Sequence, residues 1–287
     1  MPSPSYNVGA LQLTVVSDGT NWLDAGAVFG LVPKVMWSRV TGATNEFNQI
    51  PLGLNCVLLQ SDGKTVLIET GQGNKDFEQL RGRGQEPHHG RLLHDLAANG
   101  VRPDEVDIVI NTHLHADHCG WNTCLDGETL RPTFTNARYY IQRAEWEVAT
   151  HPNERTRATY LGENLHPVFE AGQVEFIDGE TVVTSDITVI ETPGHTQDHA
   201  SVVISNGGAT AIYLGDITQH KLQLERVAWI SAFDILPLVS IETKKKLIAD
   251  AIEGDHLVIC VHNTFPGVGR LSTIEGRTRF TEEPPHG

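Results

Sequence analysis

Thr112-His113-Leu114-His115-Ala116-Asp117-His118-Cys119-Gly120 is the stretch that decides the reading of this chain. It follows Val106–Thr112 (VDIVINT), a short apolar run typical of a strand buried on both faces. In an extended segment, residues two apart share a face, so His113 and His115 can grip one ion together. The chain then turns, and Asp117 and His118 point to a second ion beside the first. Imidazole nitrogen and carboxylate oxygen suit Zn²⁺ and neighbouring divalent ions.

Three residues farther along have the same relation to apolar strands. His195 follows the rigid turn Thr192-Pro193-Gly194, Asp216 follows Leu214-Gly215, and His262 ends the run Leu257–Val261. Each side chain can project from a strand end into a common cleft, where α/β proteins commonly place their ligands. Together with the first motif they supply two ions with three or four protein ligands each. Cys56 and Cys260 sit inside apolar runs and read as core thiols. Cys119 and Cys124 lack the paired spacing of a zinc-thiolate site.

The rest of the chain alternates strand-like and helix-like segments, which indicates an α/β layered fold. Leu11–Ser17, Asn55–Gln60, Val174–Ile177, Ile187–Thr192, Ala200–Ser205 and Thr210–Leu214 read as strands. Thr65–Glu69 follows a hairpin turn at Asp62-Gly63. Pro87–Asn99, Ala144–Thr150, Asn153–Glu170 and Ile241–Glu253 read as helices. Residues 18–50 and 217–240 show no clear period and are expected to be long loops, at the active site or at an interface. An internal symmetry is also visible. TVLIETG (65–71) resembles AIYLGD (211–216), and the strand that releases His113 is matched by the strand that releases His195.

The 287 residues include 21 Lys and Arg against 36 Asp and Glu, a net charge of −15. That field repels phosphate backbones and anionic membranes, so nucleic-acid binding is excluded as a role. No apolar stretch is long enough for a transmembrane helix. Met1–Ala10 lacks the basic and apolar regions of a signal peptide, so a cytoplasmic location is expected.

HLHADH, the TPGHT turn, the LGD strand end and the late VHNTFPGVG strand together resemble the metallo-β-lactamase superfamily, over almost the whole chain. Within it, the sequence is most similar to the branch of quorum-quenching lactonases and methyl-parathion-hydrolase-like enzymes. The resemblance implies one domain over 1–287 with a four-layer αββα sandwich. It implies a first metal on His113, His115 and His195, a second on Asp117, His118 and His262, and Asp216 bridging them. Zinc is the first expectation, with manganese, cobalt or iron as alternatives. A homodimer is expected, with residues 18–50 as a candidate interface. The chain reads Glu69-Thr70-Gly71 where the family usually reads Asp-Thr-Gly. The tyrosine that many lactonases place after the bridging aspartate is not apparent, and His220 lies nearby in its stead.

The reaction expected is hydrolysis of a small neutral ester-like substrate, a lactone or aryl ester, by a metal-bridging hydroxide, with Asp117 moving the proton. Phosphotriester hydrolysis at the same site is the alternative. A β-lactamase or a non-catalytic metal-binding module ranks below both. Trp22, Phe29, Trp37, Trp121, Trp146 and Phe233, in loops or beside the ligand motifs, are the candidate substrate-binding residues. Few Lys or Arg residues lie in these segments, so a neutral, partly apolar substrate is expected.

Overall fold

The computed structural model describes residues 3–82 and 85–286. Its first sheet begins with β1 (Ser5–Val8), β2 (Leu11–Asp24), β3 (Gln49–Ser61), β4 (Lys64–Ile68) and β5 (Ile108–Ile110). A two-stranded ribbon, β6 (Thr123–Asp126) with β7 (Thr129–Pro132), separates these from β8 (Arg138–Gln142) and β9 (Val174–Ile177), which complete the sheet. The second sheet runs through β10 (Thr181–Thr184), β11 (Ile187–Glu191), β12 (Ala200–Asn206) and β13 (Ala209–Tyr213). It closes with β14 (Leu257–Ile259), β15 (Val268–Ile274) and β16 (Arg277–Glu282). The Asp62-Gly63 hairpin forms as expected, with both residues at positive φ, as a two-residue turn between twisted strands requires.

Period-two alternation builds the layers. Val57, Val66, Ile68, Ile108 and Ile110 face Ala211, Tyr213, Leu257 and Ile259 in a core between the two sheets. Their strand neighbours Cys56, Leu58, Leu67 and Val109 point the other way, onto Leu92 and Leu96 of the helix Leu92–Ala98. Ile212, Val258 and Cys260 likewise meet Leu247, Ile248 and Ala251 of the helix Pro237–Glu253. Helix, sheet, sheet, helix is the expected four-layer order. Each fully buried aliphatic side chain in these layers contributes about 1.5–3 kcal/mol.

The two sheets share a topology. β1 to β5 pair antiparallel three times and then parallel, and β10 to β14 repeat that sequence of pairings. The expected match of TVLIETG with AIYLGD holds, since β4 corresponds to β13, but the match of the strands before His113 and His195 is corrected. β5 corresponds to β14, not to β11, so His113 corresponds to His262. His195 lies in the connection between β11 and β12, whose counterpart is the connection between β2 and β3.

Residues 18–50 are also not the expected long loop. Pairing between β2 and β3 resumes at Thr20 with Gly53 after an irregularity and runs out to Asp24 with Gln49. Two short helices, Ala25–Phe29 and Lys34–Thr41, cap this long hairpin, and the Asp24 side chain accepts a bond from the Ala27 N–H at 3.0 Å. Glycines and prolines spaced between ordered pieces hid the pattern. Within 217–240, Leu222–Glu225 is helical and the long helix starts at Pro237. Asn153–Glu170 departs in the opposite sense: only a 3₁₀ turn, Gly162–Asn164, and a short helix, His166–Glu170, form there. Gly162 interrupts the run, and Pro167 is tolerated because it falls in the first helical turn.

Candidate metal centre

The strand ends deliver the ligands. His113 and His262 each stand three residues beyond the last residue of a buried strand, β5 and β14. His115 caps the short helix Ala116–Cys119, which turns Asp117 and His118 back toward the strand ends. Gly120 then passes so close to the backbone of Gln72 that an added Cβ would lie 2.0 Å from its carbonyl oxygen. Only glycine fits there. The same approach lets the Thr70 N–H bond the carbonyl of His118 at 2.8 Å.

Ligand-type atoms gather in three overlapping groups, each within 4.8 Å: His113, His115 and His195; His113, His118 and Asp216; Asp117, His118 and His262. All seven residues named from the sequence are therefore brought together. Asp216 links the groups. Its Oδ2 lies 3.3 Å from His195 Nε2, and its Oδ1 lies 3.3 Å from His118 Nε2 and 3.0 Å from His262 Nε2. Asp117 closes the outer side, 3.6 Å from His262 Nε2 and, at 22% side-chain exposure, the least buried of the carboxylates there.

Buried polar atoms normally find partners. Here His113 Nε2, both ring nitrogens of His118 and Asp216 Oδ1 are buried without a hydrogen bond. His118 Nδ1 faces Glu69 Oε2 at 3.4 Å, while His113, His118 and Asp216 each offer one ligand atom within 4.8 Å of the others, an arrangement that a divalent cation satisfies. The donor set fits the metals that the sequence implies.

Charge in the site agrees. Burial disfavours an ionised Asp216, yet His262, His118 and His195 outweigh it and hold the carboxyl well below the usual range. Burial also opposes charge on His118, His195 and His262, but the neighbouring carboxylates together outweigh it and hold all three above the ordinary histidine value. Asp216 comes first among them, with Asp117 and Glu69 beside His118, Asp234 beside His195 and Asp117 beside His262. Burial, together with the neighbouring imidazoles, keeps His113 and His115 well below it, so they are neutral.

A surrounding set of hydrogen bonds, which the sequence reading missed, fixes the rings. His195 Nδ1 donates to Asp234 Oδ1 at 3.1 Å, and Ser240 Oγ donates to the other Asp234 oxygen at 2.7 Å. His262 Nδ1 donates to the Gly53 carbonyl at 2.8 Å. Glu145 is fully buried and ties the two histidine segments together, accepting from the Leu114 N–H at 3.1 Å, Tyr160 at 2.9 Å and Thr196 at 2.7 Å. Glu69 accepts from the Thr112 N–H at 2.8 Å, so the longer acid still supports the motif. His199 Nε2 accepts from the Asp216 N–H at 2.9 Å. Its position in GHTQDH was the one local signal available.

The aromatic candidates separate. Phe29 and Trp37 stack at 5.6 Å in a buried cluster with Trp229 and Leu52, so they are core residues. Trp121 is buried, and its Nε1 donates to Asp18 at 2.8 Å. Trp146 packs on Phe169 and Phe176, at 5.3 and 5.5 Å. Phe233 is half-buried beside Asp234. Trp22 is exposed and lines a cleft of about 570 Å³ with Phe47, Gln72 and His88. His220 packs edge-on to Phe29 at 5.4 Å and shares a small pocket with His262; burial lowers its pKa to about 4.

Fold and site together define a metal-dependent hydrolase. A profile of the Metallo-beta-lactamase superfamily matches residues 50–226, and the chain belongs to that superfamily. An N-acyl homoserine lactonase of Bacillus sp is 27% identical over 223 residues, 74% of this chain and 82% of the relative. A probable metal-dependent hydrolase from Staphylococcus aureus superposes with a TM-score of 0.86 at 27% identity, covering 97% of this chain and 99% of that one. AidC, a dizinc quorum-quenching lactonase in complex with a product, N-hexanoyl-L-homoserine, gives 0.82 at 18% identity, covering 100% and 99%. Among the described residues no helix is long and apolar enough to cross a membrane.

Proposed function

We propose that this enzyme is a dinuclear lactonase that hydrolyses a small neutral ester-like substrate, with N-acyl homoserine lactones as the leading class. The observation that carries the reading is the divided Asp216 carboxylate, one oxygen toward His195 and the other toward His118 and His262. His113, His115 and His195 would hold one divalent ion, Asp117, His118 and His262 the other, with Asp216 shared and zinc the first choice. Ions held there supply a water-derived nucleophile near neutral pH and polarise the oxygen of a bound carbonyl.

The chain's own groups do the rest. Asp234 and the Gly53 carbonyl fix His195 and His262 in the tautomers that turn Nε2 inward. Asp117, partly exposed at the mouth, is placed to take a proton on its carboxylate and return it to the departing oxygen. His220, neutral beside His262, is a second candidate for that exchange. The cleft beside Trp22 is available for the part of the substrate that does not react, and its lining residue Gln72 lies two residues from Thr70, which bonds His118.

Zinc-reconstituted protein assayed against acyl-homoserine lactones, δ-lactones, p-nitrophenyl esters, paraoxon-type triesters and nitrocefin tests this reading. The highest kcat/KM is expected on a lactone. A maximum on the triesters would replace the lactonase assignment with phosphotriester hydrolysis.

A further inference from the structure

Gln219 is a polar residue of the site that neither the motif nor the metal groups account for. Asp216 lies in the 3₁₀ turn Gly215–Ile217, which ends at Thr218 in an extended conformation. Gln219 follows Thr218 and lies beside Asp216, and its Nε2 donates to Asp216 Oδ2 at 3.2 Å. The same nitrogen lies 3.4 Å from His195 Nδ1. The backbone is held separately: Gln223 Oε1 accepts from the Gln219 N–H at 2.7 Å, and Gln223 Nε2 donates to the Val28 carbonyl at 2.9 Å. Nothing in the turn thus requires an amide side chain at 219.

The side chain is 4% exposed, and its Oε1 is buried with no partner. Rotating the amide would set Oε1 against the Asp216 carboxylate, so the orientation is fixed by Nε2. An unmade hydrogen bond in the interior is destabilising, and an apolar side chain of similar size would avoid it. The fold alone therefore disfavours glutamine at this place.

We infer that Gln219 is a positioning residue that holds the plane of the Asp216 carboxylate, keeping one oxygen on each metal group. This rests on the dinuclear reading above. The amide contacts the oxygen that faces His195, while His262 and His118 constrain the other. Without the amide, Asp216 can swing toward the His118 and His262 side and leave the His113, His115 and His195 group short of a ligand.

The test compares wild type with Gln219→Leu, and with Gln219→Met in case the branched side chain does not fold. Three quantities are read: the melting temperature of metal-free protein, zinc affinity by competition with a chromophoric chelator, and the visible spectrum of cobalt-substituted protein. The metal-free variants should melt at or above the wild-type temperature. Their zinc affinity should fall by about ten- to hundredfold, the usual cost of losing a ligand's orienting partner. The cobalt spectrum should change. Wild-type affinity and spectrum in both variants would overturn the inference, as would an affinity loss that only parallels a lower metal-free melting temperature. Wild-type protein that fails to hold two zinc ions would instead overturn the dinuclear reading beneath it.

Discussion

His113 and His262 occupy equivalent places in the two sheets, each three residues past a strand that runs parallel to its neighbour. In the proposed dinuclear arrangement the two halves of the fold thus deliver one histidine apiece to opposite groups. His262→Ala should leave the His113, His115 and His195 group intact and retain about one zinc, with turnover reduced by two or more orders of magnitude. Asp216→Ala removes the shared carboxylate and should lose metal from both groups. Elemental analysis after gel filtration distinguishes the two variants. Equal retention would mean that Asp216 does not bridge.

Metal binding should release protons at neutral pH. Burial disfavours charge on His118, His195 and His262, but Asp216 and the other carboxylates around them together outweigh it and raise all three above the ordinary histidine value, so the metal-free site carries protons where ions would sit. The sign follows: zinc binding weakens as pH falls and strengthens as pH rises through these raised values. Titration calorimetry in buffers of different ionisation enthalpy reads the proton count. Heats that do not depend on the buffer would contradict the charge arrangement.

Trp121 should behave as a stability residue. Its indole donates to Asp18, whose oxygens also accept from the backbone N–H groups of Leu92, Gln72 and Gly73 at 2.9, 2.9 and 3.0 Å. Burial nonetheless pushes the Asp18 carboxyl up to about 6. Trp121→Phe removes one of the four donors and some packing, a loss of about 1–3 kcal/mol. Melting temperature should drop while the ranking of substrates is unchanged. An altered ranking would return Trp121 to the pocket wall.

Trp22 should show the reverse pattern. It is 39% exposed and faces the cleft, so Trp22→Ala removes little core packing. An aromatic contact to substrate is worth about 1 kcal/mol, or roughly fivefold in kcat/KM. The change should appear in KM, with melting temperature within a degree or so of wild type. A large drop in melting temperature with unchanged kinetics would exclude the cleft from substrate binding.

The gathering of the seven candidate ligands was legible because metal-binding residue types stand at strand ends, and apolar strands are short and conspicuous. The layers were legible for the same reason: alternation along Val66–Ile68 and Ile108–Ile110 encodes both faces of a sheet at once. What surrounds the candidate ligands was not. Asp18 meets Trp121 across 103 residues, and Asp234 meets His195 across 39, so no local pattern marks either contact. Gln219 and not its neighbour His220 bonds Asp216, a choice set by the backbone path after Thr218 that two adjacent polar residue types do not show. The aromatics of residues 18–50 were misplaced for a related reason: the long hairpin of β2 and β3 folds Phe29 and Trp37 back onto Trp229.

Zinc content of the wild-type protein is the most direct test of the dinuclear site. Protein stripped with a chelator, reconstituted with excess zinc and desalted should hold two ions per chain by elemental analysis. A stoichiometry of one or less, in protein whose circular dichroism is that of the folded state, would contradict it.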